Sequence, residues 1–155
     1  VIRRARLGDI PAIIDVGHRL MQRGAFAYSG IDFRAAVDRL TRAVQSRTEF
    51  IAVAIHKEQV VGFLILVAQP MWWQPSKWQV VDDLIYCERP GLGRHLLKLG
   101  IAWAHTIPRV CEIIISLNSN IDTERATKAL VAHGMTKRGV TLSIPVSKEV
   151  QSWAA

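Results

Sequence analysis

Two cysteines in 155 residues, Cys87 and Cys111, are too few and too far apart for a disulfide framework, and no His/Cys cluster falls at metal-ligand spacing. Two reduced thiols and no metal are expected. No apolar run approaches the ~20 residues of a bilayer span, and the opening Val-Ile-Arg-Arg-Ala-Arg lacks the apolar stretch of a secretion signal. These absences predict a soluble, cytoplasmic protein with no membrane partner. Internal repeats, low-complexity segments and a basic tail are also missing. The 20 Lys and Arg, set against 13 Asp and Glu, are dispersed along the chain and give a formal charge of +7. Such a balance favours polyanionic partners, whether a phosphorylated cofactor, a nucleic acid or an acidic protein, and does not choose among them. No motif supports the nucleic acid.

A chain of 155 residues suffices for one independently stable domain, taken as 1–155. Ile2 to Arg6 reads as a short strand ending at Gly8-Asp9. Ile10, Ile13, Ile14, Gly17, Leu20 and Met21 then share one helical face, with Pro11 in the first turn. Asp32 can cap a second helix whose stripe is Phe33, Ala36, Val37, Leu40 and Val44. The period then changes. Phe50–Ile55 and Val60–Ala68 read as a hairpin of buried strands, Pro70–Lys77 as an interruption, and Trp78–Tyr86 as a third strand. A helix to about His105 follows, then a strand over Cys111–Ser116. Asp122 or Thr123 caps a last helix that ends at Gly134, and Met135–Arg138 and Thr141–Val146 read as two closing strands. The order β-α-α-β-β-β-α-β-α-β-β predicts an α/β fold with a mixed sheet, helices on both faces and one parallel pair near the centre.

Between the third strand and its helix lies Cys87-Glu88-Arg89-Pro90-Gly91-Leu92-Gly93-Arg94. A glycine turn feeding directly into a helix is how chains hold phosphate, because the first helical amides point outward with the positive end of the dipole behind them.

The element order, with Ile2-Arg3-Arg4-Ala5 leading into Gly8-Asp9-Ile10-Pro11, Val60-Val61-Gly62-Phe63, Gly91-Leu92-Gly93 opening a helix, and the closing Ala126-x-x-Ala-Leu-x-x-His-Gly-Met135, resembles the GNAT superfamily of N-acetyltransferases. The likeness spans essentially the whole chain. Trp72 to His105, with a Trp-rich segment and a closing Ala-Trp-Ala, is similar to GNAT-type proteins carried by bacteriophages. The resemblance implies an acyl-CoA N-acyltransferase fold whose fourth and fifth strands splay apart around acetyl-CoA. It implies that Arg89, Gly91, Leu92, Gly93 and Arg94 hold the pyrophosphate, that Leu84, Ile85 and Tyr86 line the pantetheine arm, and that an amine enters from the opposite end.

This chain departs from the family in named places. The family's loop reads Arg/Gln-x-x-Gly-x-Gly/Ala, and here Glu88 stands at its first position with Arg89 displaced by one. Pro90 lacks a backbone N–H where one is ordinarily supplied. Leu130 occupies the place of a Tyr that protonates the leaving thiolate in many relatives, and Thr123 that of a common Asn.

Acetyl transfer needs a base to take the amine's proton, and Asp82 and Asp83 on the fourth strand are the candidates. Adjacent in a strand, they point to opposite faces, so one at most looks into the cleft; either is otherwise a strand-end partner for Arg or Lys. Tyr86 is a substitute acid or a packed ring. Ser116 and Asn118 are candidate substrate contacts or simple turn formers. Trp72 and Trp73, with Trp78, roof the substrate entrance, form a homodimer contact, stack on a flat group, or pack over the sheet edge. Cys87 reads as a core thiol, since no His is placed to activate it. The leading expectation is direct acetyl transfer from acetyl-CoA to an amine in a ternary complex. The alternative is a degenerate GNAT-fold protein that binds a protein or nucleic acid without catalysis.

Overall fold

The apolar, β-branched middle of the chain forms the centre of a sheet in the computed structural model, which describes residues 1–24, 30–118 and 121–139. The chain divides into two compact units, Val1–Thr123 and Glu124–Ala155. In the first, β1 (Ile2–Arg4), α1 (Ile10–Arg23), α2 (Phe33–Gln45), β2 (Glu49–His56), β3 (Gln59–Met71), β4 (Gln74–Cys87), α3 (Leu92–Ala104) and β5 (Val110–Ile114) follow in chain order. The strands lie side by side as β1-β2-β3-β4-β5. The first four pair antiparallel, and β5 runs parallel to β4.

Phe50 to Ala54 are all buried because helices cover both faces of the sheet. On one face Ile13 and Val16 of α1 and Leu40 of α2 pack on Ile51, Val53, Phe63 and Ile65. On the other, Leu96 and Ala104 of α3 pack on Ala52, Leu64, Leu66 and Val80. A Cβ at Gly100 would stand 2.5 Å from Leu64 Cδ2 and 2.8 Å from Leu66 Cδ1, so this glycine lets α3 sit close against β3.

Local chemistry sets the element ends. Arg3 grips Asp9 with two bonds of 2.7 and 2.8 Å, and the Arg6 N–H donates to the same carboxylate at 2.7 Å. The Arg3 hydrogen bond holds the Asp9 carboxyl below its ordinary range. Asp32 caps α2 as expected, its Oδ1 accepting from the Ala35 N–H at 3.0 Å. The β2–β3 hairpin turns through Lys57 and Glu58, both left-handed at φ 48° and 65°, a turn geometry that matches strand twist.

Several expectations are corrected. Pro70–Lys77 does not interrupt the meander: β3 runs to Met71, β4 starts at Gln74, and Trp72-Trp73 is the turn. The Ala68 N–H reaches the Thr48 carbonyl at 2.7 Å on the β2 side, and strand alternation aims the Pro70 nitrogen the same way. Since β2 pairing ends at Glu49–Val67, the missing N–H at Pro70 deprives no ladder. Phe33 and Val37 were placed on the buried stripe of α2, yet they are 52% and 42% exposed. Phe33 instead lies edge-to-face with His18 at 5.8 Å; Ala36 is partly buried against the core, and full burial begins at Leu40 and Ala43. The parallel pair forms an edge of the described sheet and not its centre.

In the second unit, α4 (Thr123–Ala132) carries a Glu124–Lys128 pair one turn apart at 2.9 Å. It ends where Gly134 turns left-handed at φ 86°, with the Met135 N–H returning to the Leu130 carbonyl at 3.2 Å. Met135–Arg138 is irregular and not the strand expected. Thr141–Val146 lies outside the described residues.

Candidate functional site

Parallel pairing of β4 with β5 runs from Trp78–Val110 to Val81–Ile114 and goes no further. Beyond it β4 continues to Cys87 against β3, while the chain after β5 departs. The two edges enclose a cavity of about 130 Å³ lined by Asp82, Asp83, Leu84 and Ile85 on one side and Ser116, Leu117 and Asn118 on the other.

At this point β4 holds a surplus residue. Leu66 pairs with Asp82 and Ile65 with Leu84, which leaves Asp83 in a bulge. The bulge reverses which face each residue serves. Trp78 and Val80 join the α3 side of the core, but so do Ile85 and Cys87, whereas Leu84 and Tyr86 join the α1/α2 side. Strict alternation would send Asp82 and Asp83 to opposite faces; with the bulge, both border the cavity and have different partners. Asp83 accepts from Arg39 Nη2 of α2 at 2.9 Å, and the other arm of Arg39 holds Glu49 of β2. Asp82 is half-buried and accepts the Ser116 N–H at 2.7 Å, a bond across the mouth just where the ladder stops. Burial pushes the Asp82 carboxyl up to about 6, the Asp83 charge adds to this, and the Ser116 amide opposes it. Among the described residues no cation forms an ion pair with Asp82.

The glycine turn follows. The Glu88 N–H is bound to the Val61 carbonyl at 2.8 Å, Gly91 caps α3 with φ 83°, and the Leu92 N–H donates to the Arg89 carbonyl at 3.3 Å. The next amides are those that a helix start leaves without intrahelical acceptors. Gly91 is the glycine the backbone requires; a Cβ at Gly93 would make ordinary contact, 3.7 Å from Cys87 Cβ. Arg89 and Arg94 are exposed beside the turn. Glu88 does not stand alone: Arg19 of α1 reaches it with Nε at 2.6 Å and Nη2 at 3.3 Å.

Other candidates separate from the cavity. Tyr86 faces α1 and accepts from Arg23 Nη1 at 3.4 Å, so it does not line the opening. Trp72 and Trp73 sit at the tip of the β3–β4 hairpin, 85% and 59% exposed and edge-to-face at 5.5 Å, and are not part of the lining. Trp78 packs under α3. Leu130 belongs to α4. Burial raises the Cys87 thiol above its ordinary range, as suits an unreactive core cysteine. Among the described residues no His/Cys/Asp/Glu group could hold a metal ion, and no helix is long and apolar enough to cross a membrane. Arg19 and Arg39 escaped sequence reasoning, since each meets its carboxylate across 69 or 44 residues of chain.

No protein-family model and no curated protein matches this sequence. Solved structures do. A transcriptional regulator from Bacillus halodurans C-125 superposes with TM-score 0.71 at 16% identity, covering 94% of this chain and 99% of its own. A possible acetyltransferase from Clostridium difficile 630 gives 0.68 at 13%, covering 95% and 97%. An aminoglycoside acetyltransferase from an uncultured soil metagenomic sample, in complex with sisomicin, gives 0.65 at 14%, covering 95% and 96%. These likenesses show the fold alone: an α/β mixed sheet, GNAT-like, of the kind seen in acetyltransferase structures. The phage-type likeness of residues 72–105 rests on sequence alone.

Proposed function

We propose that the opening between β4 and β5 transfers an acetyl group from acetyl-CoA to an amine by direct attack in a ternary complex. The observation that carries this reading is Asp82, a half-buried carboxylate with no cation partner among the described residues, set at the point where the strands part. A base whose pKa lies near neutrality can both hold and release a proton in the working range, and burial brings Asp82 to about 6. Asp82 takes a proton from the ammonium form of the amine, and the freed nitrogen lone pair forms the C–N bond to the thioester carbonyl as the C–S bond breaks. The second proton, shed by the acylated nitrogen, reaches the departing thiolate through solvent, and Asp82 returns its own proton to solvent. No side chain of this site is placed as an acid for the thiolate; Tyr86, the sequence candidate, faces α1. A thiolate whose thiol has a pKa near 8.5 leaves tolerably without one, and holding the two reactants together supplies much of the rate.

The donor set of the glycine turn suits a diphosphate. Past Leu92, whose N–H is taken by the Arg89 carbonyl, the Gly93 and Arg94 amides are held at a helix start, Arg89 and Arg94 flank them, and the nearby Glu88 carboxylate is balanced by Arg19. Leu84 and Ile85 would border the pantetheine arm, and Ser116 and Asn118 would face the acceptor from the opposite edge. Acetyl-CoA supplies the activated acyl group. The formal charge of +7 works against strongly cationic acceptors.

A binding-only reading is favoured by Pro90, which removes one turn N–H, and by Glu88. Calorimetry with coenzyme A, followed by thiol release from acetyl-CoA in the presence of an amine panel of peptides, polyamines and aminoglycosides, separates the two. Heat with turnover supports the transferase. Heat without turnover supports the binding-only fold, and no heat removes both acetyl-CoA and this use of the turn.

A further inference from the structure

β4 presents two neighbouring carboxylates to one small cavity, and a pair of that kind ordinarily shares its protons, so that neither group acts as an independent base. The structure separates them by two devices that the functional reading does not use. The bulge at Asp83 frees that residue from the β3 ladder. Arg39, half-buried on α2, then spans Glu49 of β2 and Asp83 of β4, engaging one carboxylate with each arm. Asp82 is left with the Ser116 amide as its hydrogen-bond partner across the mouth.

We propose that Arg39 is a positioning residue of this site: by drawing Asp83 toward α2 and balancing its charge, it leaves Asp82 as the one carboxylate free to exchange a proton in the opening. This rests on the reading of Asp82 as the base, and it concerns residues that no direct contact links to the acceptor. Among the described residues, few charged groups bear on Asp82. Its own strand brings Asp83, and through it α2 brings Arg39 and β2 brings Glu49. The segment after β5 brings the amide and hydroxyl of Ser116, with Leu117 and Asn118, none of them charged. β3 brings Leu66 and Ile65.

The chemistry gives the direction. With Arg39 in place, the negative charge of Asp83 is partly cancelled and acts weakly on its neighbour. Without it, Asp83 is uncompensated and free to swing toward the cavity, where it disfavours ionisation of Asp82. Asp82 then holds its proton to higher pH and is a base over a smaller part of the neutral range.

The test follows the side-chain carboxyl resonances of Asp82 by NMR titration in the full chain, which needs no substrate, alongside the pH profile of acetyl transfer. Arg39→Met is expected to raise the Asp82 midpoint by roughly half to one pH unit, the size of one unit charge at this range in a partly wet site. Asp83→Asn should lower the midpoint, and Arg39→Met in the Asp83→Asn background should leave it where Asp83→Asn alone puts it. Arg39→Lys should restore most of the wild-type value. An unmoved midpoint in Arg39→Met overturns the proposal, as does a rise that persists with Asp83→Asn, which would mean that Arg39 acts on Asp82 directly. If Arg39→Met does not fold, Arg39→Gln replaces it, with the same expected rise, and an unmoved Asp82 midpoint overturns the proposal. Absence of acetyl transfer by the wild type would sink the functional reading and leave the titration result standing.

Discussion

The mouth of the opening and the glycine turn stand six residues apart, Asp82 on β4 and Glu88 just past its end, and each holds a carboxylate. Their surroundings differ in the one respect that matters for a charge. At the turn, Arg19 clasps Glu88 with two nitrogens, so a region offered to an anion carries no bare negative group. At the mouth, Arg39 engages Asp83 and Glu49, and Asp82 is left with hydrogen bonds from Ser116, the amide at 2.7 Å among them. Glu88 is matched by a cation, whereas Asp82 has partial burial and hydrogen bonds instead.

The largest effect expected from breaking this contrast is at the mouth. Asp82→Asn keeps an acceptor for the Ser116 amide and removes the base, so kcat for acetyl transfer should fall by about 10²–10⁴-fold while the heat of coenzyme A binding stays within error. A kcat within threefold of wild type would assign the proton to another group. Smaller is the effect at the turn. Arg19→Ala exposes Glu88 to the diphosphate and should weaken coenzyme A binding by roughly tenfold, about 1.4 kcal/mol. Adding Glu88→Gln should recover most of it, and equal affinities across wild type, single and double variants would mean that Glu88 and the phosphates do not meet.

The smallest effect is on stability and carries a sign. Because the folded Asp82 carboxyl lies near 6, above its ordinary value of 3.8, the native state binds more protons than the unfolded chain between those limits. Stability therefore declines as pH rises from about 4 to 6, and the loss is complete above about 6. Asp82→Asn removes this term. Relative to wild type, the variant should gain about 1–2 kcal/mol at pH 8, less than the full shift implies because the site is partly wet, and the gain should vanish near pH 4. Denaturant melts at the two pH values measure it, and a pH-independent difference would contradict the raised pKa.

Much of the framework could be read from periodicity. The helical spacing from Ile10 to Met21, the Asp32 cap, and the apolar runs flanking His56–Gln59 correspond to α1, the start of α2 and the β2–β3 hairpin. Pro70 misled because a proline disrupts a strand only where its nitrogen would face a neighbour, and neighbours are a property of the sheet and not of the local sequence. Phe33 misled because a stripe says which face is apolar and not how far along a helix the contact extends. Ser116 and Asn118, expected from residue type, do line the cavity, yet the 2.7 Å bond from Ser116 to Asp82 comes from its amide, which every residue but proline possesses. Arg19 and Arg39 carried no local signal at all, since their partners lie on other elements.

The bulge at Asp83 has one more consequence. Upstream of it, β4 keeps step with β5 and α3; downstream, the strand has changed phase, so that Leu84 and Tyr86 serve the opposite layer. The inserted position thus decouples packing from chemistry. Its side chain can be shortened, neutralised or lengthened without asking any core residue to move, and deleting it would leave the Leu66–Asp82 and Ile65–Leu84 pairs as neighbouring rungs, with Tyr86 still on the α1/α2 side.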